Sequence, residues 1–125
     1  MAAELTLVDG ERPGLSATRD WALEHLCRPI TVQQLADHAG MPRRTFIRHF
    51  ERETGLPPMR WVVRQRVLTT RRLLETSDWT VERIAAAAGF GTASTFRETF
   101  HRETGITPSA YRTSMQGLTA GSTAS

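Results

Sequence analysis

The sequence predicts an all-α protein of seven helices, arranged as two helix-turn-helix units joined by a long helix. Three observations carry that expectation. "HFERETG" at residues 49–55 returns as "TFHRETG" at 99–105, and self-similarity of this kind marks one supersecondary unit used twice. Between residues 15 and 115 apolar residues recur at helical spacing, and no stretch alternates as a strand does. Thr, Pro and Gly fall where helices start and stop.

In chain order, residues 1–14 contain Asp9-Gly10 and Pro13-Gly14 without periodicity and read as a flexible lead-in. The first helix starts near Ser16 and is anchored by Trp21, Leu23, Leu26 and Cys27 before Arg28-Pro29 ends it. Thr31 caps "VQQLADHAG", with Gly40 as its stop. Pro42 or Arg43 opens the next helix, which runs to Thr54 and is closed by Gly55. Pro57-Pro58 starts the long helix, ending near Ser77. Thr80 caps "VERIAAAAG", Thr92 opens a helix to Thr104, and Pro108 begins a short last helix through Tyr111. The small, polar tail over 116–125 is expected to be disordered. The organisation expected is therefore a first unit at 15–56, a linker helix at 57–77 and a second unit at 78–115.

The two units align closely. Leu35-Ala36 matches Ile84-Ala85, Gly40-Met41 matches Gly89-Phe90, and Thr45-Phe46 matches Thr95-Phe96 after one inserted residue. Phe50 then matches Phe100, and Trp61 matches Tyr111. Ala36 and Ala85 suit a close helix approach, and Gly40 and Gly89 suit a turn with positive φ. Phe46/Phe50 and Phe96/Phe100 lie one turn apart on a single face and anchor each second helix. The opposite face then carries Arg44, Ile47, Arg48 and Glu51 in the first unit, and Ala93, Ser94, Arg97, Glu98 and His101 in the second.

Charge singles out the same region. All sixteen basic residues are Arg, and residues 40–72 carry nine of them against two Glu, whereas the flanking stretches are near neutral or acidic. Clustered positive charge is the footprint of a polyanion binder, although a solvated helix face produces the same pattern. At 125 residues and 14.0 kDa the chain builds one compact core, or two small ones sharing an element. No apolar run approaches the roughly 20 residues of a membrane span, and Met1-Ala2-Ala3-Glu4 lacks the character of a signal peptide. A single cysteine, Cys27, fits a reducing cytosol and reads as a small buried hydrophobe.

His25, His38, His49 and His101 are scattered without metal-ligand spacing, and no nucleophile–base set assembles. No catalytic residue, metal site or cofactor is therefore expected.

The paired units, the long connecting helix and the run "IAAAAGFGTASTFRETFHRETGITPSAYR" resemble the DNA-binding domain of the AraC/XylS family of bacterial transcription regulators, over about residues 16–113. The Gly-Phe-Gly-Thr turn and "LLETSDWTVERIA" resemble the subgroup with an N-terminal amidotransferase-like (DJ-1/PfpI-type) domain. The resemblance implies a homeodomain-like, bilobed fold that binds double-stranded promoter or operator DNA, placing two recognition helices in successive major grooves. Those grooves lie about 34 Å apart, and a connector of about 28 Å plus its flanking units meets that spacing.

It also implies a cytoplasmic, nucleoid-associated protein, with RNA polymerase as a further partner. The isolated domain is expected to be monomeric, and the full-length protein, with a sensor domain preceding this part, dimeric. Base-reading positions carried over from the family are Arg44, Ile47 and Arg48, then Ala93, Ser94, Arg97 and Glu98. Ile47 either touches a thymine methyl or packs partly into the core. Glu98 either accepts from cytosine N4 or pairs with Arg102, and the pair is preferred. Phosphate contacts are expected from Arg43, from the helix starts at Thr31, Thr80 and Thr92, and from Thr45 and Thr95. The alternative function is a helical protein-interaction module of the transcription machinery without direct base readout.

Overall fold

The computed structural model describes residues 15–124, with side chains as far as Gly117. Within them are seven helices: α1 over 15–24, α2 Val32–Ala39, α3 Arg43–Thr54, α4 Pro58–Thr76, α5 Val81–Ala87, α6 Ala93–Thr104 and α7 Pro108–Ala124. The expected lead-in over 1–14 lies outside the described residues.

Two compact units divide between Val63 and Arg64, inside α4. The helix read as a connector is thus shared: Val62 is buried in the first unit, and Val67, Thr70 and Leu74 are buried in the second. In the first unit Leu15, Ala22, Leu26 and Ile30 pack with Leu35, Ala36, Phe46, Phe50 and Val62. In the second, Leu74, Ile84, Ala85, Ala88, Phe96 and Phe100 are buried.

The turns form by the same chemistry twice. At Gly40 (φ 71°) the Met41 amide donates to the Ala36 carbonyl at 3.1 Å; at Gly89 (φ 89°) the Phe90 amide donates to the Ala85 carbonyl at 2.9 Å. This six-to-one bond is the Schellman closure of a helix, and it requires the left-handed residue that glycine supplies. Thr31 forms a capping box with Gln34, and Thr80 accepts from the Arg83 amide. The inserted residue of the second unit is Gly91, also left-handed (φ 82°). It allows Thr92 to accept from the Thr95 amide at 3.1 Å, whereas Pro42 gives α3 no side-chain cap.

Three expectations are corrected. Leu23 is 45% exposed and Cys27 is exposed. The buried register on α1 is Leu15, Thr18 and Ala22, and the helix gives way to a turn after residue 24, so neither Leu23 nor Cys27 reaches the core. The last helix does not stop near Tyr111, because its backbone stays helical through Ala124, across most of the tail expected to be disordered. No proline follows Pro108, and Gly117 and Gly121 weaken a helix by only about 1 kcal/mol each relative to Ala.

Phe50→Ala and Phe100→Ala should each remove about 3–5 kcal/mol from the unit that holds them. Urea unfolding followed by circular dichroism measures this, and a loss below about 1 kcal/mol would mean that the ring is not an anchor.

Candidate nucleic-acid interface

Phe46 and Phe50 are 0% and 1% exposed, and Phe96 and Phe100 are both 0% exposed. With about 100° of rotation per residue, this sets what α3 and α6 show outward. On α3, Arg43, Arg44, Arg48 and Glu51 are exposed and Ile47 is half-buried. Arg43, Arg44, Ile47 and Arg48 line one open concavity. Neither Arg44 nor Arg48 has an acidic partner among the described residues. Ile47 packs against the edge of the first unit's core, as the core-packing alternative expected, while part of it stays exposed.

On α6 the matching positions are Ala93, half-buried, and Ser94, Arg97, Glu98 and His101, all exposed. Arg97 holds the position of Ile47, on the flank turned toward the preceding helix. Its Nη2 lies 3.8 Å from Oε2 of Glu82 on α5. The expected Glu98–Arg102 pair does not form among the described residues: Nε of Arg102 lies 3.8 Å from Oε2 of Glu103, the next residue along. Charge therefore differs sharply between the two helices. α3 carries four Arg against two Glu, and α6 carries two of each.

The expected phosphate contacts sit at helix starts. The hydroxyl oxygens of Thr31, Thr80 and Thr92 are occupied as cap acceptors for the amides of Gln34, Arg83 and Thr95. Thr92 also donates to Oγ1 of Thr95 at 3.0 Å. Thr45 is half-buried in the first turn of α3, beside exposed Arg43. Helix starts held open in this way present their remaining amides, and a positive dipole end, to an anion.

Sequence reasoning missed several residues that hold this surface. Oγ1 of Thr54 lies 2.9 Å from the Phe50 carbonyl and 3.1 Å from the Leu56 carbonyl, and accepts from the Leu56 amide at 3.2 Å. Thr104 repeats the set with Phe100 and Ile106. Gly55 and Gly105, both expected as helix stops (φ 82° and 86°), each return an amide to the helix they close at 2.8 Å. The repeated Thr-Gly was the available signal.

In the second unit the Tyr111 phenol donates to Glu75 and accepts from Nε of Arg71. That bond raises the Arg71 guanidinium above its ordinary pKa, against the opposing effect of burial. Arg112 donates to the carbonyls of Leu74, Ser77 and Trp79, at 3.3, 3.0 and 2.7 Å. It closes the end of α4 and faces the backbone rather than a ligand. Nothing in the sequence marked Glu82, which is brought to Arg97 only by the α5–α6 fold.

A pair of helix-turn-helix units with an arginine-bearing second helix defines a class of nucleic-acid-reading domain. The chain matches the family described as a helix-turn-helix domain over residues 35–114, and it belongs to that family, the AraC-type DNA-binding domains. It is 47% identical over 81 residues to the HTH-type transcriptional regulator Rv1931c of Mycobacterium tuberculosis, covering 65% of this chain and 31% of that protein. The HTH-type transcriptional activator RhaS of Pectobacterium carotovorum is 32% identical over 102 residues, or 82% of this chain and 37% of that one. The chain thus spans about a third of the length of these curated relatives. Among solved structures, the DNA-binding domain of the global transcriptional factor AdpA, in complex with a target DNA, superposes with a TM-score of 0.80. It is 43% identical, and the match covers 83% of this chain and 94% of that one. No helix of the described residues is long and apolar enough to cross a membrane.

Arg112→Ala should lower stability by about 1–3 kcal/mol, by uncovering carbonyls at the end of α4. Chemical denaturation measures this; an unchanged midpoint would place Arg112 outside the frame.

Proposed function

We propose that this chain is the DNA-reading part of a bacterial transcription regulator, binding double-stranded DNA sequence-specifically with α3 and α6 in successive major grooves. The observation that carries the reading is the outward face of α3. There Arg44 and Arg48 stand one turn apart, exposed and without acidic partners among the described residues, opposite a fully buried Phe pair. Likeness to the DNA-complexed AdpA domain supports it.

In this reading Arg44 and Arg48 each offer a planar fork to O6 and N7 of guanine, and the exposed part of Ile47 meets a thymine methyl. On α6, Ala93 and Ser94 are short enough to bring the backbone close to the groove, and Arg97 is the main reader. Glu98, free of Arg102, accepts from cytosine N4. Arg43, Thr45 and Thr95, with the amides at the helix starts capped by Thr31, Thr80 and Thr92, hold phosphates and set the register.

The same proposal extends to the regulator as a whole. It includes contact with RNA polymerase, residence on the nucleoid, and a monomeric isolated domain within a dimeric full-length protein. It also includes a preceding amidotransferase-like domain of the DJ-1/PfpI type, supported by the "LLETSDWTVERIA" resemblance.

A selection from random-sequence duplexes with the purified chain should yield one asymmetric site. Affinity for it should fall steeply with salt, at a slope of about 0.9 per phosphate engaged; a flat dependence would favour an apolar protein interface instead. Arg44→Ala and Arg48→Ala should each lose about 1–3 kcal/mol and relax preference at one base pair. Arg97→Ala should lose less. If both α3 variants bound the selected site as tightly as the parent, α3 would not be the reading helix.

A further inference from the structure

The three recognition-face arginines are not held alike. Arg44 and Arg48 stand free of carboxylates among the described residues, but Arg97 has Glu82 at 3.8 Å. Glu82 is the second residue of α5, just after the Thr80 cap and two and three residues before buried Ile84 and Ala85, so its backbone is fixed. The matching residue of the first unit, Gln33, is uncharged and turns along its own helix, donating to Oδ1 of Asp37 at 2.8 Å. A carboxylate reaching across to the recognition helix is therefore a feature of the second unit.

A guanidinium carries five N–H donors in a rigid plane. A carboxylate at one terminal nitrogen orients that plane and leaves the other donors for a base edge. The same negative charge also discourages Arg97 from swinging to any nearby phosphate. We propose that Glu82 is a positioning residue for base readout, orienting Arg97 and sharpening choice at one base pair while lowering indiscriminate DNA affinity. This rests on the DNA-binding reading above.

The test uses the full chain, its selected duplex, and a duplex of unrelated sequence. Glu82→Gln should bind the unrelated duplex about 2- to 5-fold more tightly, the scale of one exposed ion pair. Its salt dependence should steepen by up to about 0.9 as Arg97 gains a phosphate. Preference at the base pair that Arg97→Ala flattens should fall by a similar factor. In the Arg97→Ala background, Glu82→Gln should flatten that position no further.

Glu82→Asp keeps the charge at the start of α5 but withdraws it by one methylene. It should lose the preference while keeping the parental salt dependence. A helix-stabilising role alone would shift the melting temperature of Glu82→Gln and leave base preference untouched, and that outcome overturns the proposal. So does an Arg97→Ala variant with unchanged preference, which leaves DNA binding itself standing. Failure of the parent chain to bind any duplex refutes the underlying reading instead.

Discussion

Two phenylalanines one turn apart on each of α3 and α6 are the constraint on which the rest depends. Fully burying a Phe side chain contributes roughly 1.5–3 kcal/mol relative to leaving it exposed. The pair therefore outweighs any preference the neighbouring charged residues have for another rotation of the helix. Once Phe46 and Phe50 are inside, Arg44 and Arg48 have nowhere to point but outward. The rings also fix the following helix: Phe50 meets Trp61 at 5.4 Å and Phe100 meets Tyr111 at 5.6 Å, both edge to face. The azimuth of the outward face and the start of the next helix are set by one apolar contact chain.

The exit from each recognition helix is built to the same plan and then finished differently. Thr54-Gly55 and Thr104-Gly105 turn the chain with a left-handed glycine and a threonine hydroxyl shared between carbonyls on either side of the turn. Buried Pro58 and Pro108 then open the next helix, where a missing amide hydrogen costs nothing. Four residues further on, just past Trp61 and Tyr111, the units diverge. After Trp61 comes Val62, 0% exposed in a core that already has Leu26 and Ile30. After Tyr111 comes Arg112, which answers the backbone carbonyls where α4 ends.

Most of the fold was legible because its signals are local: cap residues, left-handed glycines and a Phe spacing, each given twice. The same locality explains the failures. Leu23 and Cys27 were assigned inward because they are apolar, but the register of a single short helix was settled by Leu15, Thr18 and Ala22. Glu98 and Arg102 have the right spacing to pair, yet Arg102 faces Glu103, and no spacing rule ranks two carboxylates within reach. The outward face was legible on α3, where exposure follows from Phe burial alone. On α6 it was only half legible, because the partner of Arg97 lies fifteen residues away on another helix and is found only through the fold.

Duplication within one chain has a consequence that pairing of identical subunits lacks: the two copies are free to differ. Many of the residues kept in both bury, cap or turn, and a change there costs stability in either unit. Differences gather on the outward faces, where packing constrains a side chain less. There Arg44 became Ser94, Ile47 became Arg97 and Arg48 became Glu98 by position. Free guanidinium groups attract phosphate and guanine alike, so in the DNA-binding reading proposed above α3 gains affinity from its charge as well as selectivity from its geometry. With its charge balanced and Glu82 3.8 Å from Arg97, α6 exerts less long-range attraction on a polyanion than α3 does. On that proposed reading, the first unit supplies a general electrostatic grip and the second a more conditional contact.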